Sequence, residues 1–358
     1  MASLLRNECK QALAKSLPWT KAPLVISAPM RVMTGPSLAV AVSSAGGLGF
    51  LGPTLKPDDI FSDLDQVSEL LRSSPDQHAA TAQALLPIGV GFQTWNGDLK
   101  VAVSAVAKHH PCAVWLFAPR HGQKEFDEWT AAIKSASPET RVWLQVGTLG
   151  EAVDAARSST PPDVLVLQGA EAGGHGRHKD GQGTIALIPE VSDALGDSKI
   201  PLIAAGGIID GRGAAAALTL GAAGVAMGTR FLASREARIS KGYQNEVVRA
   251  SDGAKNTVRT QLYNHLRGTF GWPEAFSPRT VINKSWTEHE SGTPFDKLKE
   301  LHDESARSGD AGWGPEGRLA TYAGAAVGLV RRVDDAAFIV RETRDQARAI
   351  LTSLVAHL

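Results

Sequence analysis

The chain has 358 residues, 43% of them hydrophobic and 21% charged, and its 37 Lys and Arg balance 37 Asp and Glu. That length can bury a large core, as one large domain or as a barrel with an appendage. Zero net charge argues against a nucleic-acid surface or a polybasic membrane anchor, and no apolar run approaches the roughly 20 residues of a membrane span.

Residues 1–21 carry Arg6, Lys10 and Lys15 among apolar residues. Glu8 interrupts them and there is no signal-peptide core, so the segment reads as a plain surface helix, with a weak organelle-targeting helix as the alternative. Short β-rich runs then follow at 24–28, 48–51, 88–92, 113–117, 142–146, 164–167, 202–205 and 225–227. They are apolar on both faces, as expected of strands covered on both sides. Helical patterns lie between them at 36–45, 57–72, 98–109, 124–135, 149–157, 185–195 and 211–220. Several begin on a first-turn proline, as in Gly35-Pro36 and Lys56-Pro57. A strand–helix alternation repeated about eight times predicts an α/β chain folded as a (β/α)8 TIM barrel, with a doubly wound open sheet as the alternative. After Ser234 the alternation stops. Residues 235–314 are polar and partly helical, with Trp272, Trp286 and Trp313 and no evident strand–helix unit. They read as an inserted, mostly helical substrate-binding cap. Regular structure is expected again at 319–330, and residues 336–354 form an amphipathic pattern that should dock on the barrel as its last helix. The barrel is therefore assigned to 1–234 and 315–358. The terminal Ala356-His357-Leu358 does not read as a convincing peroxisomal signal.

Three glycine-rich strand ends carry the chemistry. Ala204-Ala205-Gly206-Gly207 and Met227-Gly228-Thr229 end the seventh and eighth predicted strands. In barrels a phosphate sits between those two loops, on backbone N–H groups at a helix start. Gly206, Gly207, Gly228 and Thr229 are the candidate phosphate cradle, and turn glycines without a ligand are the plain alternative. Ala28 and Met30, at the end of the first strand, offer backbone groups and a soft apolar contact to a flat ring. Gly91, Gln145 and Gln168 lie at or near the ends of strands three, five and six, and a glutamine amide can both donate to and accept from a ring with polar edges. The run Leu167-Gln168-Gly169-Ala170-Glu171-Ala172-Gly173-Gly174-His175 puts an imidazole after a glycine pair at a strand end. Gly173 and Gly174 let a flat ligand approach, and a neutral imidazole can take a proton from a carbon acid. His178 reads as solvated or loop-closing, and Glu171 as structural. His109, His110 and His121 have no partner at metal-ligand spacing, so no metal is expected. There is no nucleophile elbow, Walker motif or GxGxxG. The three cap tryptophans read as cap core, with one of them lining the pocket as the alternative.

Taken together, Ala28-Pro29-Met30, Gln168 to His175, Ala204 to Ile208 and Met227 to Phe231 resemble the nitronate monooxygenase family. The resemblance runs from about Pro23 to Ser234 and resumes at Thr321-Tyr322-Ala323-Gly324 and Val327 to Val330. It implies a barrel that binds FMN non-covalently. Gly206, Gly207, Gly228 and Thr229 would hold the phosphate. Ala28, Met30, Gln145, Gln168, Gly173 and Gly174 would line the flavin. His175 falls where the family keeps the histidine that acts as base on nitroalkanes. The chain departs from the family at Gly91, where asparagine is frequent, and at Gln145, where lysine is frequent.

The expected function is oxidation of alkyl nitronates or nitroalkanes with O2 to a carbonyl compound and nitrite, with His175 as base. An NAD(P)H-dependent flavin reductase, a specialised metabolic flavin enzyme and a flavin-binding protein without turnover remain alternatives. The partners expected are a small-molecule substrate and O2, with no nucleic acid and no membrane, and the chain is expected as a monomer or weak homodimer. Cys9 and Cys112 are far apart and fit a reducing, cytoplasmic setting.

Overall fold

A computed structural model describes residues 7–73 and 85–357. The first six residues of the N-terminal segment and Leu358 lie outside them. The strands are β1 (Leu24–Ser27), β2 (Leu48–Leu51), β3 (Leu86–Gln93), β4 (Pro111–Phe117), β5 (Arg141–Val146), β6 (Val164–Gln168), β7 (Gly174–Arg177), β8 (Leu202–Ala205) and β9 (Gly224–Met227). All but β7 form one closed parallel barrel in chain order. β1 pairs with β2 through Ile26–Leu48 and with β9 through Leu24–Gly224. That last ladder excludes an open, doubly wound sheet. Helices α2 (Pro36–Ser44), α3 (Asp59–Ser73), α4 (Leu99–His109), α5 (Gln123–Ala136), α6 (Leu149–Arg157), α7 (Thr184–Leu195) and α8 (Gly211–Thr219) surround it. Asp98, Thr148 and Asp210 cap three of them through side-chain oxygens that accept first-turn N–H groups, the usual way of satisfying those donors.

Strand side chains alternate between the two faces of the barrel wall. Val25, Val114, Leu116, Val142, Leu144, Leu165 and Leu167 face the helices. Ile26, Phe50, Ala113, Trp115, Trp143, Val166, Ile203 and Ala205 face inward. Phe50 meets Trp115 at 5.2 Å and 82° and Trp143 at 5.3 Å and 60°. These rings plug the barrel. The same alternation carries Gln93, Gln145 and Gln168 inward, above the plug. Helix α1 (Asn7–Ser16) is not a plain surface helix. Leu13 and Leu17 are buried in the inner cluster with Leu24 and Cys112, at the end where the strands begin.

Beyond β9 come a short helix α9 (Thr229–Leu232) and then α10 (Lys241–Arg249), α11 (Gly253–Asn256), α12 (Leu262–Leu266), α13 (Lys284–Glu290) and α14 (Phe295–Arg307). Two strands absent from the sequence reading join them, β10 (Thr257–Arg259) and β11 (Phe276–Val281). With β7 they make an antiparallel sheet ordered β10-β11-β7. These strands are short, and buried Ser277, Thr280 and an internal Pro278 break the apolar alternation that betrays a strand. Residues 319–330 are not the regular element expected. They hold a single bridge, Thr280–Tyr322, and one 3-10 turn, Val327–Leu329. The segment is threaded between cap and barrel, where Val281 N donates to Thr321 O at 2.8 Å and Ala325 N donates to Glu171 O at 2.8 Å.

The last helix, α15 (Ala336–His357), docks on α8 as expected. Gly211 N donates to Gln346 Oε1 at 3.2 Å, and Arg344 reaches the carbonyls of Gly46 and Ala45 after α2. No helix among the described residues is long and apolar enough to cross a membrane. At Gly211 a Cβ would lie 2.3 Å from Gln346 Cβ and 2.6 Å from the Ala347 nitrogen. Gly211→Val is therefore expected to lower unfolding stability by about 1–3 kcal/mol, the usual cost of overpacking. An unchanged denaturation midpoint would show that α15 does not dock this closely.

Candidate active site

A cavity of about 590 Å³ opens at the C-terminal ends of the barrel strands and runs up under the cap, the end where barrel enzymes place their chemistry. Ala28 and Met30 line it from the loop after β1, and Gln145 and Gln168 from the ends of β5 and β6. Gly173, Gly174 and His175 form one wall, and Gly206, Gly207, Gly228 and Thr229 another. Gly91 is the exception. A Cβ there would lie 2.3 Å from Pro29 Cβ, so this glycine makes room for the proline and not for a ligand. Strand β3 runs one residue further than the expected 88–92, and its end residue in the cavity is Gln93.

At the β8–β9 edge the backbone turns through left-handed conformations at Gly206 and Gly207, φ +94° and +75°, which a side chain would oppose. The N–H groups of Gly206, Gly207, Gly228 and Thr229 donate to no group among the described residues. Four unspent donors beside a cavity suit an anion such as a phosphate. Glu171 lies beneath them and is spent on the fold, accepting Thr184 N at 2.9 Å.

His175 is not in a free loop. It sits on β7, opposite Pro278 of β11. The arginines of the cap sheet hold the glycine run before it. Arg259 donates to the carbonyls of Ala172 at 2.9 Å and of Ala170 and Gly174 at 3.2 Å, and Arg279 donates to Ala170 O at 3.2 Å. Trp272 stacks on the imidazole with ring centroids 3.6 Å apart and 9° between planes. Of the three cap tryptophans, Trp272 and Trp313 line the cavity, and Trp286 packs beside the Leu262–Leu298 cluster of the cap. Tyr322 lies 5.9 Å from the His175 ring, and the Asn264 amide meets Nε2.

No aspartate or glutamate lines this cavity among the described residues, whereas Arg31, Arg238 and Arg267 do. Arg238 is paired with Asp63 at 2.8 Å. Arg31 and Arg267 have no carboxylate partner among the described residues. Arg31 Nε reaches Thr54 O at 3.4 Å, and Arg267 donates to the Tyr322 hydroxyl at 2.8 Å. Such a field concentrates anions. Arg31, Arg267, Asn264, Tyr322 and Gln93 escaped the sequence reading. Two of them left a trace: Gln93 shares the inward parity of Gly89 and Gly91, and Tyr322 lies in the run Thr321-Tyr322-Ala323-Gly324 that carries the family resemblance.

The nitronate monooxygenase family model matches residues 93–269. The chain is 85% identical over 358 residues to the nitronate monooxygenase npaC of Metarhizium robertsii, covering 100% of both chains. The chain belongs to the nitronate monooxygenase family. A Neurospora crassa nitronate monooxygenase is 35% identical, over 97% of this chain and 96% of that one. FabK from Thermotoga maritima superposes with a TM-score of 0.72 at 27% identity, covering 97% of this chain and 99% of that one. A nitroalkane oxidase from Streptomyces ansochromogenes shares the fold, with a TM-score of 0.71 at 22% identity over 96% of this chain and 99% of that one. The sequence therefore identifies both the family and the barrel, and with them an oxidoreductase of a flavoenzyme family.

In this family member the histidine is electrostatically unusual. Burial pushes the His175 pKa down to about 3, and Arg259, Arg267 and Arg31 push the same way against the opposing bond to Asn264. An ordinary histidine titrates near 6.5. His175 should stay neutral through the whole range from about pH 5 to 8 in which histidines normally change charge. Its ring NMR signals are expected to be flat across that range. A titration step near the ordinary value would refute the desolvated environment.

Proposed function

We propose that the protein is an FMN-dependent nitronate monooxygenase, acting on an alkyl nitronate, or on a nitroalkane deprotonated by His175, and yielding a carbonyl compound and nitrite with O2. The observation that carries this reading is a buried imidazole on the wall of a cavity that no carboxylate lines among the described residues and that Arg31 and Arg267 line as well. A base there can accept a carbon-bound proton, and the anion left behind meets positive charge instead of repulsion. Both cysteines are unpaired and buried, which supports a cytoplasmic setting.

The residues present fit FMN. The unspent N–H groups of Gly206, Gly207, Gly228 and Thr229 would hold the phosphate. Ala28, Met30, Gln168, Gly173 and Gly174 would line the ring, and Gln93 takes the place proposed for Gly91. Gln145 has its oxygen engaged by Trp115 Nε1 at 2.9 Å, so its NH2 is the group left to face the ring, a neutral donor where the family often has lysine. FMN when bound supplies the redox chemistry between nitronate and O2. The chain's own part is to attract the anion through Arg31 and Arg267, to cover His175 with Trp272, and to move one proton.

Two variants test the assignment. His175→Asn should keep the flavin and slow turnover of a neutral nitroalkane by about 10²–10⁴-fold, the scale of a general base. A preformed nitronate should suffer far less, because its proton is already gone. Equal losses on both would remove His175 as base. Nitrite release and oxygen uptake are the readouts, and flavin bleaching by NADPH without nitronate would turn the assignment toward a reductase. Gly207→Val forces a side chain into a left-handed position, with Cβ 3.2 Å from Glu171 Cβ. It should purify without FMN, and stoichiometric FMN in that variant would overturn the phosphate cradle.

A further inference from the structure

The His175 ring contacts a chain of amides that belongs wholly to the cap. Gln261 Nε2 donates to Phe276 O at 2.7 Å, which turns Gln261 Oε1 toward Asn264. That oxygen accepts from Asn264 Nδ2 at 2.7 Å. The orientation of the Asn264 amide is thereby fixed, and its edge faces His175 Nε2, with Nδ2 at 3.0 Å and Oδ1 at 3.2 Å. Asn264 is 2% exposed, and its Oδ1 meets no other donor among the described residues. His175 Nδ1 takes no protein partner among them.

Two protonation patterns could meet this edge. With the proton on Nδ1, Nε2 would accept from Nδ2, leaving the ring no free lone pair and the buried Oδ1 no donor, at the cost usual for an unsatisfied buried acceptor. With the proton on Nε2, Oδ1 accepts it at 3.2 Å, the nearer Nδ2 keeps only its bond to Gln261 Oε1, and the Nδ1 lone pair stays open, as a base requires. We propose that Asn264 is a positioning residue that keeps the proton of neutral His175 on Nε2, so that Nδ1 is the atom that takes the substrate proton. This rests on His175 being the base. In that step the C–H bond next to the nitro group breaks and an N–H bond forms on Nδ1. The electron pair stays on the substrate as the nitronate. The imidazolium keeps its Nε2–H bond to Oδ1, so nothing has to move as charge develops.

The uncharged amide has a reason. A carboxylate here would orient the ring equally well, but its charge would repel the nitronate formed beside it. The charged groups that act on His175 are Arg259, Arg267 and Arg31, with Tyr322 beside the ring, and Asn264 adds no negative charge to them.

The experiment is 15N NMR of the holoenzyme labelled in histidine, with the His175 ring assigned by loss of its signals in His175→Asn, combined with kinetics of Asn264→Ala and Asn264→Asp. In the wild type, Nε2 should be protonated and Nδ1 unprotonated at neutral pH. Asn264→Ala should lose this preference and fall about 10–100-fold on neutral nitroalkane, with a smaller loss on preformed nitronate. Asn264→Asp, the same shape with a charge, should move the acid limb of the nitroalkane pH profile upward by about one unit or more. A wild-type proton on Nδ1 overturns the proposal by itself, even where Asn264→Ala fails to fold. An unchanged nitroalkane-to-nitronate ratio in Asn264→Ala overturns it too. If His175→Asn abolishes nitroalkane turnover while the Asn264 variants do not respond, the base stands and the relay falls. If His175→Asn spares both substrates, the base reading itself has failed.

Discussion

The filled interior of the barrel governs everything above it. A closed eight-stranded parallel barrel is just wide enough for side chains to fill it, and here Phe50, Trp115 and Trp143 do so as a packed aromatic plug. No ligand can sink past those rings. Inward-facing residues one step further along the strands therefore end up as the floor of a cavity and not as core. Trp115 belongs to both, with its indole in the plug and its N–H on Gln145.

The cap is more than a lid laid over that floor. Its sheet includes β7, the strand that carries His175, and Arg259 and Arg279 bind the carbonyls of the glycine run preceding it. Burial pushes the Arg259 pKa down to about 10, with Arg279 adding to the shift, and the described hydrogen bonds of the pair go to backbone carbonyls and the Thr257 hydroxyl, with Glu171 acting on Arg279 only at longer range. This choice keeps the site positive. A cavity with glutamates pairing each arginine would be as well packed but would repel a dianionic phosphate and an anionic substrate alike. Backbone acceptors hold the loop and leave the charge to act on the cavity.

Much of this was legible from the sequence because it is local. A parallel strand covered on both faces writes itself as a short apolar run, and the strand–helix period follows from the need to return to the same edge of the sheet. The residues at strand ends were readable for the same reason: parity and position along the strand fix which side chains point inward at the top. Gly91 shows the limit. It has the right parity, but the strand is longer than its apolar run, and Pro29 occupies the space beside it. The two cap strands and the irregular segment at 319–330 were illegible because their hydrogen-bond partners lie tens to hundreds of residues away, so no local period marks them.

The sequence by itself determined the barrel, the family and the glycine-flanked histidine, because each is encoded in a contiguous run whose spacing has one good physical solution. Only the tertiary structure decided the state of that histidine. Its burial, its stacking on Trp272, its bond to Asn264 and the three arginines around it come from distant parts of the chain. Electrostatics in a desolvated cavity depends on distance in space, and distance in space between the barrel and its cap is not written in any local pattern.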